Sequence, residues 1–233
     1  MILKTEDLVK EFSGIVATDH LNFEAEEGQI ECVIGPNGAG KTTFFNLITG
    51  VLNPDSGSIF FKGEEITEKS VDEIARRGIV RKYQTPSVYE EFTIGRNMRI
   101  AANAKSGNNT SVTEILKLIG LEGRESEQAG ALDHGRKQWL EIGMVLANDP
   151  ELILLDEPTA GMTTQETNNT VDLIKTINSE GITVIAIEHD LDFVRQLESR
   201  VTVLDRGSVL AQGQIAEIEA NEEVQEVYIG GDY

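Results

Sequence analysis

Apolar and polar residues alternate along Leu21-Asn22-Phe23-Glu24-Ala25, the period of a strand with one buried face, and Gln29-Ile30-Glu31-Cys32-Val33-Ile34 reads as a second strand that runs into glycines. A helix is predicted over 41–49, stopped by Gly50, after which Pro54-Asp55-Ser56-Gly57 turns the chain into the β-rich Ser58-Ile59-Phe60-Phe61. From Val71 to Ala147 the pattern becomes helical, with stretches over 71–77, 94–104, 112–119 and 137–147 and a polar loop at 105–110. Strand character returns in Leu152-Ile153-Leu154-Leu155, Thr183-Val184-Ile185-Ala186-Ile187 and Val201-Thr202-Val203-Leu204, with a helix over 167–179 between the first two. Strands that are apolar at nearly every position, separated by helices, belong in a parallel sheet covered on both faces. The expectation is a single α/β domain with a mostly parallel sheet, its core at 1–84 and 148–233 and an inserted helical lobe at 85–147.

Composition narrows the setting. At 39% hydrophobic and 26% charged residues, the 233-residue chain is that of a folded protein rather than a disordered one. Twenty Lys and Arg against 40 Asp and Glu give a net charge of −20 with no basic stripe to offset it, which excludes nucleic acid as a partner. Dense carboxylates with few lysines suit concentrated salt, where self-repulsion is screened, and point to a halophilic protein. Cys32 is the one cysteine, so no intrachain disulfide can form; a reducing compartment is expected, with Cys32 as a small core residue. No stretch approaches the roughly 18 apolar residues of a membrane span, so service to a membrane would run through a partner.

Gly35-Pro36-Asn37-Gly38-Ala39-Gly40-Lys41-Thr42 satisfies G-x-x-x-x-G-K-[ST] and lies between a predicted strand and a predicted helix, the setting that the motif requires. Glycines let backbone N–H groups close around phosphates, and the helix N-terminus adds positive potential. Lys41 reaches the β- and γ-phosphates, and the Thr42 hydroxyl can ligate Mg²⁺. These residues and the adjoining Thr43 form the candidate phosphate-binding loop. Downstream, the apolar strand at 152–155 ends in Asp156 and Glu157, two acids delivered to a nucleotide site. Asp156 is expected to hold Mg²⁺ through water, and Glu157 to orient and deprotonate the water that attacks the γ-phosphate.

In the order and spacing of these motifs the chain resembles the ATP-binding cassette family of transporter ATPases over nearly its whole length. The resemblance implies a P-loop NTPase core with an antiparallel N-terminal β subdomain. It implies that Phe12 lies under the adenine and that Gln84, in Lys82-Tyr83-Gln84-Thr85, helps to ligate Mg²⁺ and reports to the helical lobe. His189, in Ile187-Glu188-His189-Asp190, would donate a hydrogen bond to the γ-phosphate. The family's Leu-Ser-Gly-Gly-Gln signature corresponds to Leu132-Asp133-His134-Gly135-Arg136, of which Leu132 and Gly135 agree. The family's serine donates to the γ-phosphate held by the opposite subunit, whereas an ionised Asp133 can only accept. Like charges 4 Å apart repel by about 1 kcal/mol in water and about 4 kcal/mol at an effective dielectric of 20. That opposes closure of the pair unless Arg136 neutralises the acid, salt screens it, or Asp133 caps the following helix.

Residues 134–144, 157–162 and 226–230 look like the ATP-binding subunit of urea transporters, related to those for branched-chain amino acids. The implied function is ATP hydrolysis that powers transport of urea or related short-chain amides. Branched-chain amino acid transport, a soluble cassette ATPase of an assembly system, and a nucleotide switch that scarcely hydrolyses are the alternatives. The implied partners are a second cassette subunit, identical or not, and integral membrane permease subunits docking near Tyr89-Glu90-Glu91-Phe92. An extracellular solute-binding protein would act indirectly, with the chain held by the permease at the cytoplasmic face of the cell membrane.

Overall fold

The computed structural model describes residues 1–83, 87–102 and 111–229. In chain order its elements are β1 (Leu3–Phe12), β2 (Ile15–Ala25), β3 (Ile30–Ile34), α1 (Lys41–Ile48), β4 (Ser56–Phe61), β5 (Glu64–Glu65), α2 (Val71–Arg77), β6 (Ile79–Lys82), α3 (Ile94–Ala102), α4 (Val112–Leu118), α5 (His134–Leu146), β7 (Leu152–Asp156), α6 (Thr164–Ser179), β8 (Thr183–Ile187), α7 (Leu191–Leu197), β9 (Arg200–Asp205), β10 (Ser208–Gln214), α8 (Ile215–Ala220) and α9 (Glu222–Ile229). One sheet, ordered β2-β1-β4-β5, is antiparallel. The other, ordered β10-β9-β3-β8-β7-β6, is parallel except for β10.

Side chains alternate across a strand, so β7 sends Leu152 and Leu154 to one face of the large sheet and Ile153 and Leu155 to the other. The first pair joins Val33, Ile185 and Leu204 in a core shared with α1, α2 and the antiparallel sheet. The second joins Ile34, Ala186 and Val203 in a core shared with α3 to α7. Both faces are dry, which is why these strands read as unbroken apolar runs. Cys32 is wholly enclosed in the second core, where burial pushes its thiol up to about 12.

The sequence-based expectation lacks α7, β10, α8 and α9, and the structure departs from it at further points. β1 has no counterpart in it, because its pairing with β2 slips at three points and the bulges break the alternation. Residues 79–82, inside the stretch read as helical, form the edge strand β6, which is defined by pairing with β7 from far along the chain. α5 and α6 each begin three residues earlier than predicted, α5 after the cap Asp133 and α6 after a capping box of Thr163 and Glu166. The polar loop at 105–110 lies outside the described residues.

Candidate functional site

β3, β8 and β7 are neighbours in the parallel sheet. The loop after β3, His189 after β8, and Asp156-Glu157 at the end of β7 therefore emerge side by side at one edge. That is the crevice in which open α/β sheets hold ligands. In the loop, Gly35 and Gly40 have φ of 152° and 100°, and a Cβ on either would stand 2.2 Å from a backbone oxygen, of Leu204 and Ala17 respectively. Only glycine lets the loop close against β9 and β2. Asn37 and Gly38 are exposed, Pro36 is half-buried and Ala39 is buried beneath them. Gly40 is the N-cap of α1 and no side chain caps this helix. Thr42 is exposed in the first turn and Thr43 half-buried. Lys41 folds back on its own loop, its Nζ donating to the carbonyls of Gly35 at 2.6 Å and Pro36 at 2.9 Å. Burial lowers its pKa, against the opposing pull of Glu157 and Asp156.

Asp156 is buried and takes an ion pair at 2.5 Å from Arg81 at the end of β6. Arg81 also donates to Asn46 Oδ1 of α1 at 2.7 Å and lies against the rings of Phe45 and Tyr83. It is a site residue that sequence reasoning misses, since its only signal would have been a cation in a strand that itself gave none. Glu157 follows with φ 45°, a left-handed backbone uncommon outside glycine, at the point where the strand stops. Its Oε1 lies 2.8 Å from His189 Nε2; an ionised carboxylate only accepts, so Nε2–H donates. Beneath them Glu188 is buried, Oε1 accepting from the Thr159 N–H at 3.1 Å and hydroxyl at 2.7 Å, and Oε2 from the His189 N–H at 3.2 Å. This second missed residue ties the turn after Glu157 to His189, and burial raises its pKa.

Phe12 stands at the tip of the β1-β2 hairpin, 42% exposed, with Lys10 Nζ 5.5 Å from the ring centre. The hairpin borders the phosphate loop, because Ala17 of β2 is the residue that abuts Gly40. Gln84 lies outside the described residues. The signature residues are not brought to the phosphate loop. Leu132 is buried, and Asp133 caps α5, Oδ1 accepting from the Arg136 N–H at 2.8 Å and Oδ2 from its guanidinium at 2.9 Å. The cap and the ion pair, two of the ways to quiet this charge, are thus realised together. A Cβ on Gly135 would meet Glu166 Oε1 of α6 at 2.4 Å, and His134 Nε2 lies 3.0 Å from the Ala160 carbonyl in the turn after Glu157.

At the surface of the helical lobe, Tyr89 is 52% exposed and its ring lies 5.6 Å from that of Phe92, which Arg96 covers. Buried Asn97 bonds both the N–H (2.9 Å) and the carbonyl (3.0 Å) of Tyr89, and Lys137 of α5 pairs with Glu90 at 2.6 Å, so this aromatic turn is held firmly. Among the described residues, no group of three or more His, Cys, Asp or Glu side chains gathers to hold a metal, and no helix is long and apolar enough to cross a membrane.

Residues 18–160 match the family described as ABC transporter. A high-affinity branched-chain amino acid transport ATP-binding protein of Pseudomonas aeruginosa is 33% identical over 249 residues, covering 98% of this chain and 98% of that protein. Among solved structures, an ATP-binding cassette of an ABC transporter in its ADP conformation superposes with a TM-score of 0.90 at 32% identity, over 99% of both chains. A dimeric cassette in a post-hydrolysis state, bound to ADP and Pi, gives a TM-score of 0.79 at 25% identity, over 92% of this chain and 99% of that one.

Proposed function

Because the chain belongs to the ABC transporter family, as the ATP-binding and ATP-hydrolysing subunit of such a transporter, we propose a role for each part of its site. The loop 35–43 cradles the triphosphate, with Lys41 leaving the carbonyls of Gly35 and Pro36 for the β- and γ-phosphates. Phe12 stacks on the adenine. Thr42 and Gln84 would hold Mg²⁺, with Asp156 reaching it through water. They are few and oxygen-bearing, as suits a cation that takes its remaining ligands from phosphate and water. When bound, Mg²⁺ neutralises charge on the β- and γ-phosphates. Glu157 accepts a proton from the attacking water, and His189 donates to the γ-phosphate. Leu132, Asp133 and Gly135 meet the nucleotide of an opposite cassette in a head-to-tail pair, a reading supported by the dimeric relative.

The observation that carries this reading is the convergence of the phosphate loop, His189 and the acid pair at the ends of three adjacent parallel strands. Glu157→Gln tests it. ATP binding should persist while turnover falls by about 10²–10⁴-fold; unchanged turnover would favour a nucleotide switch.

The exposed Tyr89, held by Asn97, and the half-buried Phe92 beside it support a permease dock on the lobe at 85–147, while the core at 1–84 and 148–233 carries the nucleotide. Tyr89→Ala with Phe92→Ala should weaken association with the permease and leave ATP binding intact. The permease holds the chain at the cytoplasmic face of the membrane, with a solute-binding protein on the far side. Residues 134–144 favour urea or short-chain amides as the solute. The Pseudomonas aeruginosa relative favours the second reading, branched-chain amino acids.

A further inference from the structure

Beneath the nucleotide site lies a buried ion pair to which the roles above give no task. Lys82, the last residue of β6, is fully enclosed, its Nζ donating to the Tyr83 carbonyl at 3.0 Å and facing Glu141 Oε2 at 3.6 Å. Glu141 projects from the middle of α5 and is 4% exposed, and its other oxygen accepts the N–H of Ser87 at 3.0 Å. One carboxylate therefore holds residues on both sides of 84–86, the stretch that carries Gln84.

Stability does not account for this pair. Two apolar side chains of similar volume would serve a core as well or better, while either charge left alone would be costly. Leu140, Ile142 and Val145 already provide α5 with apolar contacts. What the pair supplies is position, and α5 is well placed to use it. At its N-terminus His134 is bonded to the turn after Glu157, and one turn on Lys137 holds the aromatic turn through Glu90.

We propose that Glu141 is a positioning residue that locks α5 to both flanks of the stretch bearing Gln84, so that nucleotide binding at the phosphate loop is felt in α5. The proposal rests on the reading of Gln84 as a nucleotide-site residue. Lys82→Met combined with Glu141→Leu removes both charges and leaves neither stranded. Hydrogen–deuterium exchange of the full chain, with and without MgATP, measures the coupling. In the unaltered protein MgATP slows exchange in both 35–48 and α5. In the double variant the slowing of 35–48 persists and that of α5 is lost, with Tm unchanged or raised. An α5 response that survives in the double variant overturns the proposal, as does an α5 that never responds in the unaltered protein. Should the double variant not fold, Glu141→Gln, which keeps an acceptor for Ser87 but loses the charge facing Lys82, carries the test. A weakened α5 response supports the lock, and a full one rejects it. Gln84→Ala separates the two readings. A response lost there but kept in the double variant sinks the role of Glu141 alone, whereas one indifferent to Gln84→Ala sinks the role given to Gln84.

Discussion

The helix after the phosphate loop and the helix after the signature segment begin in opposite ways. α1 starts at Gly40 in a left-handed conformation, with no side chain on its first N–H groups. α5 starts at Asp133, whose carboxylate accepts from the Arg136 N–H and is paired with the Arg136 guanidinium. The free N–H groups of a helix start attract an anion wherever they occur. At α1 that anion must come from outside the chain; at α5 the chain supplies it. The contrast teaches that one backbone resource can go either to ligand or to the helix itself, and that the N-cap residue decides which.

The contrast can be broken or sharpened from both ends. The largest effect is expected at the open end. Lys41→Ala removes a charge-assisted contact of about 1.5–3 kcal/mol, so ATP affinity measured by equilibrium binding should fall by roughly 10- to 150-fold. Retained affinity would mean that the loop at α1 is not the anion site. Next comes Arg136→Gln, which leaves the Asp133 carboxylate uncompensated towards an incoming triphosphate. Turnover at low salt should drop by about 3- to 10-fold and recover as KCl screens the charge. Asp133→Ser should raise turnover by no more than about threefold, because Arg136 already neutralises the acid and Ser caps equally well. A much larger gain at low salt would show that the ion pair fails to quiet the charge. Smallest is the effect of removing the cap altogether. Asp133→Ala should cost about 1 kcal/mol, a fall in Tm of about 2–4 °C for a chain of this size, with no change in ATP binding to the isolated chain.

Legibility in the sequence followed the range of the interactions. The phosphate loop could be read because its function is set by consecutive residues and by glycines whose backbone angles no other residue tolerates. The strands at 183–187 and 201–204 could be read because burial on both faces leaves little room for polar residues. β1 could not, since bulges spoil its alternation, and neither could β6, where two of four residues are cations. Arg81 and Lys82 look like surface residues until Asp156 and Glu141 are seen beside them. For Asp133 the residue type allowed a cap, an ion pair or a bare charge, and the side-chain positions select the first two together.

Taken alone, the chain's order of residues determined the phosphate loop, the acid pair at the end of an apolar strand and the covered parallel sheet. Each of these is encoded within a short window by backbone sterics and side-chain period. Only the tertiary structure decided that Arg81 answers Asp156 from 75 residues away and that Glu141 reaches both Lys82 and Ser87. A buried charge takes its partner from whichever strand or helix the sheet order brings alongside, and that order is a property of the whole fold.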